Sequence, residues 1–386
     1  MTTQLIQGSC PTAILPEKLR KEDEEYTRIE LKVKEGVILS LEPLSEVPEK
    51  KRLILPLLFN AHTHLGDSFI RRYYKKEELP RDILSLVSPP HGLKHRMLKM
   101  AHEEEVIEGI VQSFHFAWSN GVVGLVDFRE GGVRGLKIFK KAYLRFSTYL
   151  NKSVEGTPLR RFHPFVLGRP ESKHFDRKEM AALLQNSDGI NISSISDLQQ
   201  DYICEIANFV KRYNMKMASG EKKKRFALHA SERLREDVDF IISLRPDFVV
   251  HFTKASQSDM RKLAEEHIPV VVCPSSNIFF GFEPPFKKML KSALTLALGS
   301  DNAMLQPPSL LQEMKIILER FQLPTHFVLK MALLFKDIYT MSKGDVKDLR
   351  RKFGYIYKGS KEGFMVLEGA ERIEEFESNR CNVKIF

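Results

Sequence analysis

Cysteine is scarce in this chain. The four present in 386 residues, Cys10, Cys204, Cys273 and Cys381, lie far apart and form no C-x-x-C pair. That spacing excludes a disulfide framework and a thiolate zinc knot, and reduced thiols fit an intracellular protein. No apolar run approaches the roughly 18 residues that would cross a bilayer. The start Met1-Thr2-Thr3-Gln4 lacks the basic, apolar and small-residue regions of a secretory signal, so the expected location is cytoplasmic, with no membrane partner. Nor does any stretch interleave aromatic and basic residues as a nucleic-acid-binding motif does, and no nucleic-acid partner is expected. The formal net charge of +10 does not change this, because many basic residues alternate with acidic ones, as in Glu17-Lys18-Leu19-Arg20-Lys21-Glu22. The tightest basic cluster, Lys222-Lys223-Lys224-Arg225, reads as a solvated turn leading into a strand. Tryptophan occurs once, as Trp118.

What is present is ordinary for a soluble globular protein: 42% hydrophobic and 28% charged residues, in a chain long enough for one large domain or two smaller ones. Apolar and polar residues alternate through Ile29, Leu31 and Val33, turn at Lys34-Glu35-Gly36, and resume through Val37, Leu39 and Leu41, which predicts a β-hairpin. Tyr355-Ile356-Tyr357, a turn at Lys358-Gly359-Ser360, and Phe364-Met365-Val366-Leu367 repeat the style at the other end. Residues 1–52 and 345–386 are therefore expected to form one small sheet domain around a central unit, 53–344. In that unit strand-like runs near 53–62, 121–128, 163–168, 188–192, 225–229, 247–251, 268–273 and 295–299 alternate with helix-like stretches near 102–119, 134–150, 198–217, 232–244, 256–266, 283–293 and 308–320. Eight β/α repeats over about 290 residues match a (β/α)8 TIM barrel, an α/β fold whose chemistry sits at the C-terminal strand ends.

Polar residues gather at those ends. Asn60-Ala61-His62-Thr63-His64 closes the apolar run that begins at Leu53, and on a strand the i, i+2 spacing points both imidazoles to one side, where a single ion can be gripped by both. Three further runs end on Leu228-His229, Val250-His251 and Gly299-Ser300-Asp301. His62, His64, His229 and Asp301 offer three nitrogens and one carboxylate, a donor set suited to zinc or to iron of similar preference, with a position open for water. A cation so held brings the pKa of bound water toward about 7 and makes hydroxide at neutral pH. His251 is a further ligand or a hydrogen-bonding partner of that hydroxide. A lone histidine is more often a satisfied buried or surface imidazole; placement at a strand end argues otherwise for His229 and His251. Glu232, three residues after His229, can move a proton to a substrate above the metal. Its plain alternative is a carboxylate in the first turn of a helix, favoured there by the dipole.

These segments, with Val272-Cys273-Pro274-Ser275-Ser276-Asn277 between them, resemble the amidohydrolase superfamily, and within it the branch of metal-dependent aminohydrolases that includes cytosine, guanine and S-adenosylhomocysteine or methylthioadenosine deaminases. They run in family order across 53–302, and the two chain ends are similar to the family's small β-sandwich, so the resemblance covers nearly the whole chain. It implies one divalent metal per chain on His62, His64, His229 and Asp301, with His251 beside the bound water. It implies that Glu232 protonates a ring nitrogen and that Asp301 takes the proton of the attacking water and passes it toward the leaving amine. Relatives with two metals use a carboxylated lysine on the fourth strand; Asp188-Gly189-Ile190-Asn191-Ile192-Ser193 has none, and a mononuclear site follows.

The expected activity is an aminohydrolase, with hydroxide attacking an amidine carbon of a nucleobase-like heterocycle and ammonia departing. Two alternatives are a hydrolase of the same fold that opens a cyclic amide or imidazolone ring, and a non-catalytic barrel scaffold, which a complete ligand set speaks against. Adenosine-type members usually carry a tryptophan-containing loop after the first strand, whereas this chain has Asp82 to His95 there. The 66–100 segment is thus expected to set specificity, with Phe69, Arg72, His91, His95 and Arg169 as candidate substrate contacts. A small heterocyclic molecule is the expected partner, and a homo-oligomer stays open.

Overall fold

The structure is a computed structural model that describes residues 3–386 except 22, 89, 154–161, 219–220, 341–355, 357 and 359–362. Strands β1 (Gln4–Pro11), β2 (Tyr26–Lys34), β3 (Val37–Pro43) and β4 (Arg52–Pro56) lie in one sheet. Glu35 and Gly36 both take positive φ, 52° and 75°, the backbone twist that a two-residue hairpin between β2 and β3 requires. The pairing shifts between Lys32 and Val33, so the residues that β3 buries are Ile38 and Leu41, while Leu39 is 42% exposed. Strict alternation through Val37, Leu39 and Leu41 fails here because a bulge moves side chains to the opposite face.

The central elements follow as β5 (Leu58–His64), β6 (Val122–Arg129), β7 (His163–Gly168), β8 (Gly189–Ile192), β9 (Arg225–Ala230), β10 (Phe248–His251), β11 (Val270–Val272), β12 (Leu296–Leu298) and β13 (Asp301–Asn302). Near the C-terminus β14 (Phe364–Glu368) and β15 (Asn382–Ile385) complete the first sheet, whose order is β15-β14-β4-β1-β2-β3. Ile356 is buried and its N–H donates to Ile14 O at 3.1 Å. Tyr355, Tyr357, Gly359 and Ser360 of the expected C-terminal hairpin lie outside the described residues.

The apolar run from Leu53 serves two sheets. Pro56 has no N–H to extend the ladder, and after Leu57 the chain leaves the first sheet as β4 and enters the second as β5. That second sheet is parallel throughout, with nine strands in the order β12-β11-β10-β9-β8-β7-β6-β5-β13. β12 and β13 are consecutive in the chain yet stand at opposite ends of this order, and Ser300 between them donates from N to His62 O at 3.1 Å. The sheet is therefore curled, with both ends drawn toward the segment 296–302. The helix Thr325–Thr340 packs against both β5 and β12. Inside the curl lie Phe59, Ala61, Val126, Phe128, Leu167, Phe248 and Val250, and the larger core is formed between the sheet and its surrounding helices.

Helices cover the outside as the pattern predicts over Glu103–Ser119, Gly132–Ser153, Gln200–Met215 and Gln257–Glu265. The helix Arg177–Asn186 was not expected, although Asp176 caps it and Met180, Leu183 and Leu184 form its buried stripe. The stretch 232–244 is helical only over Val238–Ser243, with Asp237 as its cap. Arg225 is not solvated: it is 9% exposed and pairs with Asp247 at 3.1 Å.

Candidate metal and catalytic centre

β5 ends on His62 and His64, both buried. Its pairing with β6 is irregular between Asn60 and Thr63, a local twist that brings the strand end against Phe128. β9 contributes His229, β10 ends on His251, and β13 opens with Asp301. Three of these junctions hold backbone that ordinary side chains avoid: φ is positive at Ser231 (45°), His251 (75°) and Asp301 (60°). Strain of this kind persists only where the surrounding packing imposes it, and it clusters at functional sites.

The five side chains meet. Asp301 Oδ1 lies 3.3 Å from His62 Nε2 and 3.6 Å from His64 Nε2, and His64 Nε2 lies 3.3 Å from His229 Nε2. Candidate ligand atoms within 4.8 Å of one another form three overlapping groups: His62, His229 and His251; His62, His64 and Asp301; and Glu232, His251 and Asp301. What stands behind the rings tests whether a cation fits. His64 Nδ1 faces Phe128 O at 3.1 Å and Glu130 Oε1 at 2.9 Å, and His229 Nδ1 faces Ile192 O at 3.3 Å. With acceptors behind it, each ring carries its proton on Nδ1 and presents a bare Nε2. Two bare nitrogens facing each other repel unless a cation lies between them. Both ring nitrogens of His62 and Asp301 Oδ1 also lack a hydrogen bond of acceptable geometry while buried, a state rare in native proteins without a ligand or water. The residues therefore fit a divalent metal.

The local field keeps these donors in ligand form. Burial holds His62 and His229 below the usual imidazole range, and burial together with the Lys94 ammonium brings His64 down to about 3. Burial alone would raise Asp301, but the imidazoles of His62, His251 and His64 around it hold the carboxyl well below its ordinary value. Ser276 Oγ donates to Asp301 Oδ2, leaving Oδ1 to the imidazoles.

Glu232 lines a cavity with His64, His229, His251 and Asp301, and burial pushes its carboxyl up to about 7. It sits in an irregular loop before the helix Val238–Ser243, so a first-turn, dipole-stabilised carboxylate does not describe it. His251 Nε2 lies 3.5 Å from Glu232 Oε1, and Asn277 Nδ2 lies 3.4 Å from the same oxygen.

Behind His64 is a charged cluster that sequence reasoning missed. Lys94, 2% exposed, stands 2.7 Å from Glu130, 3.3 Å from Asp67 and 3.0 Å from Asn302 Oδ1. Arg129 also pairs with Glu130, at 3.2 Å. Glu130 had a legible signal, because Asp127-Phe128-Arg129-Glu130 ends an apolar strand in charge just as β9 ends in His229. Lys94 had none, coming from a loop helix, whereas Asn277 ends the 272–277 segment that carries part of the resemblance and lies in the helix Pro274–Phe279 after β11. Of the five candidate substrate contacts only Arg169 lines the cavity, its Nε donating to Asn191 Oδ1 at 2.9 Å. Phe69 is in the core at 1% exposure, Arg72 and His91 are exposed, and His95 bonds back to Val87 O at 3.1 Å. The long segment after β5 instead contributes Ile83, Val87, Ser88 and Lys94 to the wall.

No family model matches the chain. It is 31% identical over 306 residues to a protein of Archaeoglobus fulgidus named "Putative aminohydrolase", a match covering 75% of this chain and 80% of the relative. Among solved structures, guanine deaminase from C. acetobutylicum with bound guanine superposes with a TM-score of 0.61 at 14% identity, covering 95% of this chain and 91% of that one. Atrazine chlorohydrolase from Arthrobacter aurescens complexed with zinc gives 0.60 at 13%, covering 98% and 92%. At such identities the likeness concerns the fold alone.

Proposed function

The chain belongs to the aminohydrolases of the amidohydrolase superfamily, and from that membership we infer that it is a metal-dependent deaminase of a small, nucleobase-like heterocycle. One observation carries the reading: His62, His64, His229 and Asp301 turn ligand atoms toward one another, both ring nitrogens of His62 and Asp301 Oδ1 lack a hydrogen bond, and Glu232, its carboxyl raised by burial to about 7, lies beside them. In this reading the four hold a single divalent metal, zinc by preference and iron by similar fit. When bound there, the metal polarises a substrate atom and lowers the pKa of its water toward about 7.

The chain's own groups supply the rest. Asp301 Oδ1 accepts the proton of the attacking water, while Ser276 fixes Oδ2. Glu232, whose carboxyl burial raises to about 7, delivers a proton to a ring nitrogen, a step that deamination needs; release of ammonia is what separates it from opening of a cyclic amide. Ile83 and Val87 give the cavity an apolar side, and Arg169 gives it a donor. The same reading takes the curled sheet as a (β/α)8 barrel, the six-stranded sheet as a separate small β-sandwich domain whose first boundary falls after Pro56, and the cytoplasm as the place of action. Among the described residues no helix is long and apolar enough to cross a membrane.

The test is ammonia release from a panel of purines, pyrimidines, adenosine derivatives and pterins by protein purified without chelator. Ammonia from one class of heterocycle supports the reading. Substrate consumed without ammonia would replace it with ring opening.

A further inference from the structure

We propose that Asn277 is a positioning residue whose side-chain amide fixes the proton of His251 on Nε2 and so makes that imidazole a hydrogen-bond donor, where its neighbours His64 and His229 are ligands. The proposal rests on the reading of His251 and Glu232 as working groups of the centre.

Asn277 lies in the short helix Pro274–Phe279 that follows β11, and it has no exposed surface. Its backbone is tied on both sides, with N donating to Cys273 O at 3.0 Å and O accepting from Phe282 N at 2.8 Å. Its side-chain Nδ2 lies 3.1 Å from His251 Nδ1 and 3.4 Å from Glu232 Oε1. An amide nitrogen has two hydrogens, one for each of these atoms; with the Glu232 proton on Oε2, the flipped amide would set its oxygen against Oε1, acceptor against acceptor.

An imidazole that accepts at Nδ1 carries its single proton at Nε2. The surroundings of His251 Nε2 suit a donor. Glu232 Oε1 is 3.5 Å away, and although His251 also lies near ring nitrogens of His62 and His229, a carboxylate oxygen of Asp301 joins that of Glu232 around it as an acceptor. His64 and His229 show the opposite arrangement, since their Nδ1 atoms face oxygens and their Nε2 atoms are bare. The atom standing behind each ring thus sorts similar histidines into two kinds: an oxygen behind makes a ligand, and an amide N–H behind makes a donor. Asn277 is not part of the cavity wall, so it acts through His251 and Glu232 and not on the substrate itself.

The experiment is ¹⁵N NMR of the metal-loaded protein labelled at histidine, with the His251 signals assigned by their loss in His251→Gln. The expected spectrum has His251 Nδ1 unprotonated and Nε2 protonated. In Asn277→Asp the carboxylate accepts where the amide donated, so Nδ1 becomes protonated; metal content stays as in the parent, kcat falls by about 10- to 100-fold and KM changes little. A parent spectrum with the proton on Nδ1 overturns the proposal, as does Asn277→Asp with unchanged kcat. Should Asn277→Asp fail to fold, the parent spectrum decides alone. The spectrum needs no substrate, so an Nε2–H His251 in a protein that releases no ammonia would uphold this proposal while removing the deaminase reading.

Discussion

His229 and Glu232 are three residues apart, yet their side chains face different partners. His229 Nε2 faces His64 Nε2 across the position a cation would take, whereas Glu232 faces His251 and the open cavity. His229→Ala is expected to lose metal and activity together. Glu232→Gln is expected to keep the metal and lose about 10² to 10⁴ in turnover, the usual contribution of a general acid or base; elemental analysis beside steady-state kinetics separates the two outcomes. A different buried acid governs stability against pH. Glu313 has no exposed surface, accepts from Ser275 N at 2.9 Å and from Gln306 Nε2 at 2.9 Å, and is pushed up to about 7 by burial. The folded pKa lies above the unfolded value near 4.5, so the folded state holds the proton more tightly. Stability from this group is then fully present below about pH 4.5 and lost as pH rises through about 7. Melting scans from pH 5 to 8 should show Tm falling in the parent and falling less steeply in Glu313→Gln; equal slopes would mean that Glu313 is already ionised in the fold.

Among the elements, all eight strand-like runs of the central unit fall on strands, and the ones that also revealed the site were those whose apolar run stops abruptly at a polar residue: β5, β9, β10 and the 296–302 segment. Burial along the run and function at its end write different residue types into adjacent positions, and that contrast survives without any knowledge of the fold. The break between β4 and β5 was not legible, because both halves are apolar and only their partner strands differ. Nor was Lys94 legible, because its role depends on Asp67 and Glu130 arriving from elsewhere, and a lysine in a loop looks solvated until they do. Removing that cation takes from buried Asp67 its ion pair and from Glu130 its shortest one, with Arg129 still beside Glu130, and Lys94→Met is expected to cost about 3 kcal/mol in chemical denaturation; a loss well below 1 kcal/mol would mean the cluster is satisfied without it. The 66–100 segment places Ile83 and Val87 on the cavity wall and leaves His91 exposed. Ile83→Ala should therefore reorder kcat/KM across a heterocycle panel while His91→Ala leaves the order as it is. A free base is expected to rank above S-adenosylhomocysteine in the parent. S-adenosylhomocysteine ranking first throughout would refute both expectations.

At the scale of the whole molecule, the candidate ligands come from the first, a middle and the last strand of the curled sheet in chain order: β5, β9 and β13. β5 and β13 are neighbours that meet where the sheet's two ends approach through Ser300, and Asn60 Nδ2 holds Ser300 Oγ at 2.8 Å there. An ion on these residues would clamp strands more than 160 positions apart in sequence, since His64 and His229 differ by 165, and would stabilise the fold by mass action because the unfolded chain has no such site. The central claim is that His62, His64, His229 and Asp301 form one metal site, and the most direct measurement is metal content per chain in the parent and in His229→Ala, by elemental analysis of protein purified without chelator. The account predicts one divalent ion per parent chain and close to none in the variant. Two ions per parent chain, or a variant that keeps its metal, would contradict it.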